Sequence, residues 1–343
     1  MQERKLELIK TSIYKIDLSA NEVIETIQNE EDVDFNSYIR GAIADVSIAS
    51  GGRKFTLRGE STQVVSLLLQ NVVDEQLSFD ETIPDRLLRE ETVVRDKIAR
   101  MGRELHEGLL IISIIIDKDV RKALLCKIED NEFISKKNHK LDSGYPLKRK
   151  IFRSAQFILD DKNKIVDVVV HDLNSKGATY WWDDFLELDQ LWDDTYNTTK
   201  AFHIIDTKVL SKIKKDSESD HTYLRNATIR YFRTNQEFTI EKFIAACFEG
   251  YEPVKKDKVN IDDIVASIKA LPEKFSFDER FNLKPSEITA KIKYAIHLTD
   301  EIDLVIKDEI NIENTITPEI VHKRKYIRIR SDKGYDAFFK NKS

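Results

Sequence analysis

Residues Leu109–Ile116 read Leu-Leu-Ile-Ile-Ser-Ile-Ile-Ile, eight positions with a single hydroxyl and no charge. That length falls far short of the ~20 residues a membrane span needs, so the run reads as a strand buried on both faces. Its surroundings supply the cover. Upstream, "STQVVSLLLQNVVDEQL" places Val64, Leu67, Leu68 and Val72 on one helical face, and "PDRLLREETVVRDKIARMGRELHEG" repeats the pattern with Leu87, Leu88, Val94, Ile98 and Met101 before stopping at Gly108. Downstream, "KALLCKIED" and "AQFILDDKNKIVDVVVHD" read as strands, the latter a hairpin turning at Lys162-Asn163. The expected fold is α+β: a mixed central sheet backed by helices, a helical middle segment and a small C-terminal β-rich module. The expected boundaries are 1–213, 222–272 and 273–343.

The N-terminal stretch "KLELIKTSIYKIDL" alternates like a strand, and Ser19 with Glu22 three residues on predicts a capping box that opens a helix. "YIRGAIADVSIASGGRKFTLRG" reads as two strands joined at Gly51-Gly52, with Arg53 an exposed cation beside the turn. Beyond Tyr180 an aromatic and acidic stretch leads into a helix, "TKAFHIIDTKVLSKIKK". Residues 214–221, "KKDSESDH", predict a linker. Further helices follow, one from Thr239 and one capped by Asn260 and closed by Pro272.

Charge is unevenly distributed. The chain of 343 residues has a formal net charge of -6. Residues 322–343 nevertheless balance to +6, and residues 136–153 to +6 as well, leaving -18 for the rest. Two basic islands in an acidic body predict a localised polyanion site. In "HKRKYIRIR" (His322–Arg330), Ile327 and Ile329 alternate with Arg324, Tyr326, Arg328 and Arg330. The isoleucines are expected to face inward, and the arginines and tyrosine to grip phosphates and stack on bases. The rival reading is a self-neutralised ribbon, with "TDEIDLVIKDE" (Thr299–Glu309) as partner strand and Glu301 and Asp303 opposite Arg328 and Arg330. The other island offers Lys148, Arg149, Lys150 and Arg153, and the C-terminal one adds Lys323.

Other chemistries find less support. Cys126 and Cys247 are far apart among apolar neighbours, and no two histidines stand at ligand spacing, so neither a disulfide framework nor zinc is expected. No phosphate-binding Gly-rich loop and no Gly-x-Ser-x-Gly elbow is present. "WWDDFLELDQLWDD" (181–194) carries Asp183, Asp184, Glu187, Asp189, Asp193 and Asp194 with three tryptophans. Its Phe185, Leu188 and Trp192 suggest an apolar helical face, leaving the acids as a solvated face or a surface for a basic protein partner. Asp160, Asp167, Asp172 and Lys176 are the pieces of a metal-dependent nuclease, without the register such a core requires. No catalytic residue, metal or cofactor is assigned.

The order of segments resembles the bacterial nucleoid-associated protein family of the thirty-seven-kilodalton type. Three passages carry the resemblance: "ELHEGLLIISIIID" followed by "KALLCKIE"; "KRKIFRSAQFILD", "YWWDDFLEL" and "TTKAFHIID" in succession; and "KIKYAIHLTDEIDLVIKDEI" leading to "KYIRIRSDKG". It covers roughly residue 60 to the end and is one of arrangement rather than of a short motif. The resemblance implies double-stranded DNA binding with little sequence preference, in the cytoplasm at the nucleoid, without catalysis. The first 60 residues and the acidic 181–194 stretch depart from that pattern. A nuclease or DNA-sensing component of an anti-phage system, and an adaptor working through 181–194, are the alternatives. The charged opening "MQERKLELIK" predicts no leader and no membrane association, and self-association to a homodimer is a further expectation.

Overall fold

The computed structural model of the chain describes residues 6–59, 62–100, 105, 107–134, 136–137, 139–146, 151–172, 179–292, 294–299, 302–306 and 315–340. It divides into two compact units, Met1–Asn197 with Ser276–Phe281, and Thr198–Phe275 with Asn282–Ser343.

The first unit is built on strands β1 (Leu6–Asp17), β2 (Glu22–Glu25), β3 (Arg53–Leu57), β4 (Gly108–Asp117) and β5 (Val120–Glu129). A separate hairpin of β6 (Asn131–Ile134) and β7 (Leu141–Gly144) precedes β8 (Ile151–Leu159), β9 (Ile165–Asp172) and β10 (Leu188–Gln190). The main sheet runs in the order β10, β3, β9, β8, β5, β4, β1, β2. Helices and sheet combine as expected for α+β, and every pairing in this sheet is antiparallel rather than mixed. The apolar run is β4, buried at every position but Ile116. Alternation explains why it must be apolar throughout. Leu110, Ile112 and Ile114 meet Val64 and Leu68 of α2 (Gln63–Val73) and Leu87 of α3 (Thr82–Ala99). Leu109, Ile111 and Ile115 point the other way, toward Ile39, Ile43 and Val46 of α1 (Val33–Ile48). Each such side chain contributes about 1.5–3 kcal/mol by leaving water, so a polar residue on either face of β4 would be costly.

Two N-terminal expectations are corrected. The capping box at Ser19 does not open a helix: Asp17 Oδ1 accepts from Ala20 N at 2.8 Å, and Asn21 sits at φ 56, so the chain turns back into β2. Residues 33–48 are helical, not a strand. Ile39, Ala42, Ile43 and Val46 recur at helical spacing and bury together, and that stripe outweighs the short alternation. Gly51, at φ 78, then joins α1 to β3 rather than strand to strand. The turn between β8 and β9 is where the sequence predicts it, with Asn163 at φ 57 and Asp160 Oδ1 accepting from Lys162 N and Lys164 N.

Helix α4 (Asp194–Ile204) runs into a π-helical turn, Ile205–Leu210, then α5 (Ser211–Asp216) and α6 (Glu218–Thr234). The predicted linker at 214–221 therefore lies within helical structure. Ser217 is the N-cap of α6 and accepts from Asp220 N at 3.2 Å. Asp220 is buried. It accepts from Tyr251 OH at 2.5 Å, Val254 N at 2.7 Å and Lys255 N at 3.1 Å. Burial pushes this carboxyl up, but those hydrogen bonds outweigh it and hold the group below the usual range. β11 (Glu237–Thr239), α7 (Ile240–Cys247) and α8 (Ile261–Lys269) follow, with Thr239 and Asn260 capping the two helices as their sequences predict. After α9 (Leu271–Phe275) and β12 (Arg280–Asn282), the C-terminal part holds β13 (Tyr294–Thr299), β14 (Ile302–Ile306), β15 (Ile316–Val321), β16 (Arg324–Ile329) and α10 (Asp332–Lys340). No helix among the described residues is long and apolar enough to cross a membrane.

Candidate nucleic-acid interface

The basic stretch forms a two-stranded ribbon, and its partner differs from the one the rival reading offers. β14 pairs with β13, while β16 pairs with β15 in the register Ile316↔Ile329, Pro318↔Ile327, Glu319↔Tyr326 and Val321↔Arg324. Glu301 lies outside the described residues. The connection is the two-residue turn His322-Lys323, at φ 49 and φ 66. Two left-handed residues in succession are what a type I′ hairpin turn requires, and Asn-Gly ordinarily fills it. With His-Lys there, nothing local announces the turn, which is why the rival reading takes Thr299–Glu309 as the partner strand.

Alternation gives the ribbon two unlike faces. Arg324, Tyr326 and Arg328 share one with Thr317, Glu319 and Val321. Lys325, Ile327 and Ile329 share the other with Ile316, Pro318 and Ile320. All of residues 320–333 are exposed. The inward face expected for Ile327 and Ile329 is therefore corrected: they are 49% and 44% exposed, because this ribbon packs its strands on each other and has no core behind it among the described residues. Tyr326 is 48% exposed. Arg328 meets Glu319 at 2.7 Å, a surface pair worth little. Lys323, Arg324, Lys325 and Arg330 meet no acid among the described residues, and Arg330 N donates to Thr315 O at 2.9 Å, which carries the ribbon one residue further.

The other basic island divides. Lys148, Arg149 and Lys150 lie outside the described residues. Arg153 is corrected from a phosphate contact to a core residue, 3% exposed on β8. Its Nη1 donates to Glu129 Oε1 at 2.8 Å, its Nε lies 3.7 Å from Asp172 Oδ1, and its guanidinium lies over the Tyr180 ring at 5.0 Å. Burial works against this charge, but Tyr180, Asp172, Glu129 and Glu91 outweigh it and keep it protonated. Beside it, Lys127 Nζ and Tyr180 OH both donate to the buried carboxylate of Glu91, at 2.6 and 2.7 Å. A phosphate reaching Arg153 would have to break these pairs in a desolvated site.

The acids of 181–194 are largely neutralised within the first unit. Trp181–Phe185 is a single π-helical turn rather than part of a long helix, and Leu188 lies in β10. Trp181 is buried, and Trp182 packs on Phe55. Arg58 pairs with Asp183 at 2.5 Å and with Asp189 at 3.1 Å, Arg86 with Glu187 at 3.1 Å, and Arg53 with Asp194 at 3.0 Å. Arg53 also reaches Asp278 at 3.4 Å and is thus not the free cation its turn suggested. Burial holds the Asp278 carboxyl above the usual range. Arg53, Arg58 and Arg86 come from segments 100 or more residues upstream, and no local pattern marks them as partners of this stretch.

The nuclease acids are separated by task. Asp160 closes the β8–β9 turn, Asp167 pairs with Lys54 at 2.8 Å, and Asp172 belongs to the Arg153 network at the other end of β9. Lys176 lies outside the described residues. Among the described residues no group of three or more His, Cys, Asp or Glu side chains is placed to hold a metal ion. Cys126 and Cys247 are buried, and burial pushes both thiols up to about 12, far from a reactive range. Comparison with protein-family models and with curated proteins finds no match to this chain.

Proposed function

We propose that this chain binds double-stranded DNA without catalysis and with little sequence preference, gripping the backbone through the β15–β16 ribbon. One observation carries the reading: the row Lys323, Arg324, Tyr326, Arg328, Arg330 is exposed along its length, with Glu319 as its acidic neighbour among the described residues. A two-stranded ribbon is narrow enough to enter the major groove of B-form DNA, whose width is about 12 Å. Cations on a ribbon without an Asn- or Gln-rich recognition element position a protein on phosphates rather than read bases. Tyr326 supplies a ring between two guanidinium groups for stacking on an exposed base or sugar. The acidic remainder of the chain repels polyanions elsewhere and so confines them to the ribbon.

The test is a gel-shift series with duplex DNA, single-stranded DNA and RNA of one sequence, with and without Mg²⁺. The reading expects duplex to be bound at least as tightly as the others, Mg²⁺ to bring no cleavage, and an Arg324→Ala/Arg328→Ala/Arg330→Ala variant to weaken all sequences alike. Undiminished binding by that variant would move the site away from the ribbon. Cleavage in Mg²⁺ would favour the nuclease alternative.

A further inference from the structure

β1 has an open edge. It is twelve residues long and pairs with β4 from Leu6 to Ile16, but β2 covers the other side only from Tyr14 to Asp17. The bond from Thr26 N to Ile13 O, 2.8 Å, is the last on that side among the described residues. From Leu6 to Ser12 the outward backbone groups thus have no strand to pair with among the described residues. A cleft of about 560 Å³ adjoins this edge, lined by Leu8–Thr11, by Gln28–Glu30 and by Asn36, Ile39 and Arg40 of α1.

Two features separate this edge from one guarded against pairing. A lysine on an edge strand ordinarily repels an incoming strand. Lys10 does not stand guard: its ammonium is folded onto the sheet's other face, donating to Asn71 Oδ1 and lying 4.5 Å from the Phe79 ring centroid, and the β-bulge between Leu8 and Lys10 leaves only Ile9 without a partner on β4. The second is an acceptor in need of a donor. Asn36 Nδ2 donates to Asn29 O at 2.7 Å, which fixes the amide, and Asn36 Oδ1 is then buried with no hydrogen-bond partner among the described residues. An extended polypeptide supplies what both features lack, since its backbone offers N–H and C=O groups in alternation along a line.

We propose that this cleft binds an extended peptide segment of a partner protein by strand addition to β1, in line with β2 and beside α1. The occupant is a single strand and not a second sheet, because Gln28–Glu30 and α1 line the cleft together with the edge and bound a volume of about 560 Å³. Leu8 and Ile39 favour apolar side chains at every second peptide position, and the exposed Glu30 and Arg40 leave the cleft's charge balanced, so the peptide needs no strong charge of its own. This inference is independent of the DNA reading.

The experiment selects displayed random octapeptides against the full chain, then follows backbone amide exchange with and without the selected peptide. The expected result is enrichment of alternating apolar peptides that slow exchange across Leu6–Ser12 by about tenfold or more, the mark of newly protected strand amides. A copy of the same peptide methylated at alternate backbone nitrogens, with all side chains intact, should lose at least about tenfold in affinity, because the ladder bonds supply it. Three results would overturn the proposal: no enrichment, protection confined to another segment, or equal binding by the methylated peptide. Protection of Leu6–Ser12 without peptide, rising with protein concentration together with a doubled mass, would also overturn it by assigning the edge to a second copy of the chain.

Discussion

Glu319 decides how much of the basic row is available to a phosphate. Its carboxylate lies 2.7 Å from Arg328, and both side chains are open to water, so the pair is weak and screened by salt. Glu319→Gln should therefore raise duplex affinity by roughly 2- to 5-fold at low salt, with the gain fading as salt rises. A gain that persisted at high salt would mean the ribbon is largely self-neutralised. Asp220 makes a different case, because it is buried and its partners are donors. Its folded-state pKa is depressed below the ordinary carboxylate value near ~3.9, so its stabilisation is fully present above that pH and is lost as pH falls through the folded value. Asp220→Asn should cost about 1.5–3 kcal/mol at neutral pH, since an amide cannot accept all these bonds as a carboxylate does. Thermal melts between pH 7 and pH 3 provide the check: the native protein should lose stability on acidification, and the variant should start lower and fall less.

At the scale of elements, the ribbon's turn holds His322 and Lys323 in left-handed backbone, which costs non-glycine residues about 1–2 kcal/mol each but asparagine less. His322→Asn should tighten the hairpin, slowing amide exchange across Arg324–Ile329 roughly 2- to 5-fold with no loss of duplex affinity. Faster exchange would show that the turn is not limiting. The same turn marks where sequence reasoning stops. β4, α2, α3, α7 and α8 were legible because pattern and burial agree in each of them, with side-chain caps at Thr239 and Asn260 marking α7 and α8 as well. α1 was not, since Gly41 and a run of small residues dilute its stripe until the sheet that receives it is known. β2 was misread because Ser19 and Glu22 imitate a cap, while the deciding residue, Asn21, acts through its backbone. Of the site, the basic row was visible in composition. Burial of Arg153 was not, because its acidic partners Glu129 and Asp172 lie on neighbouring strands that only the fold brings together.

For the whole molecule, the distribution of charge matters more than its sum. A net charge of -6 argues against a protein that coats polyanions, yet the acids of the 181–194 stretch are largely held by Arg53, Arg58 and Arg86, whereas Lys323, Arg324, Lys325 and Arg330 of the ribbon meet no acid among the described residues. Such a molecule should meet DNA at one place and in one orientation. The most direct measurement is the salt dependence of duplex affinity for the native chain and for the Arg324→Ala/Arg328→Ala/Arg330→Ala variant. Neutralising about five phosphates predicts a slope of log affinity against log salt near roughly -4 to -5 for the native chain, made shallower by about 2–3 in the variant. A slope near zero, or the same slope in both proteins, would contradict the account.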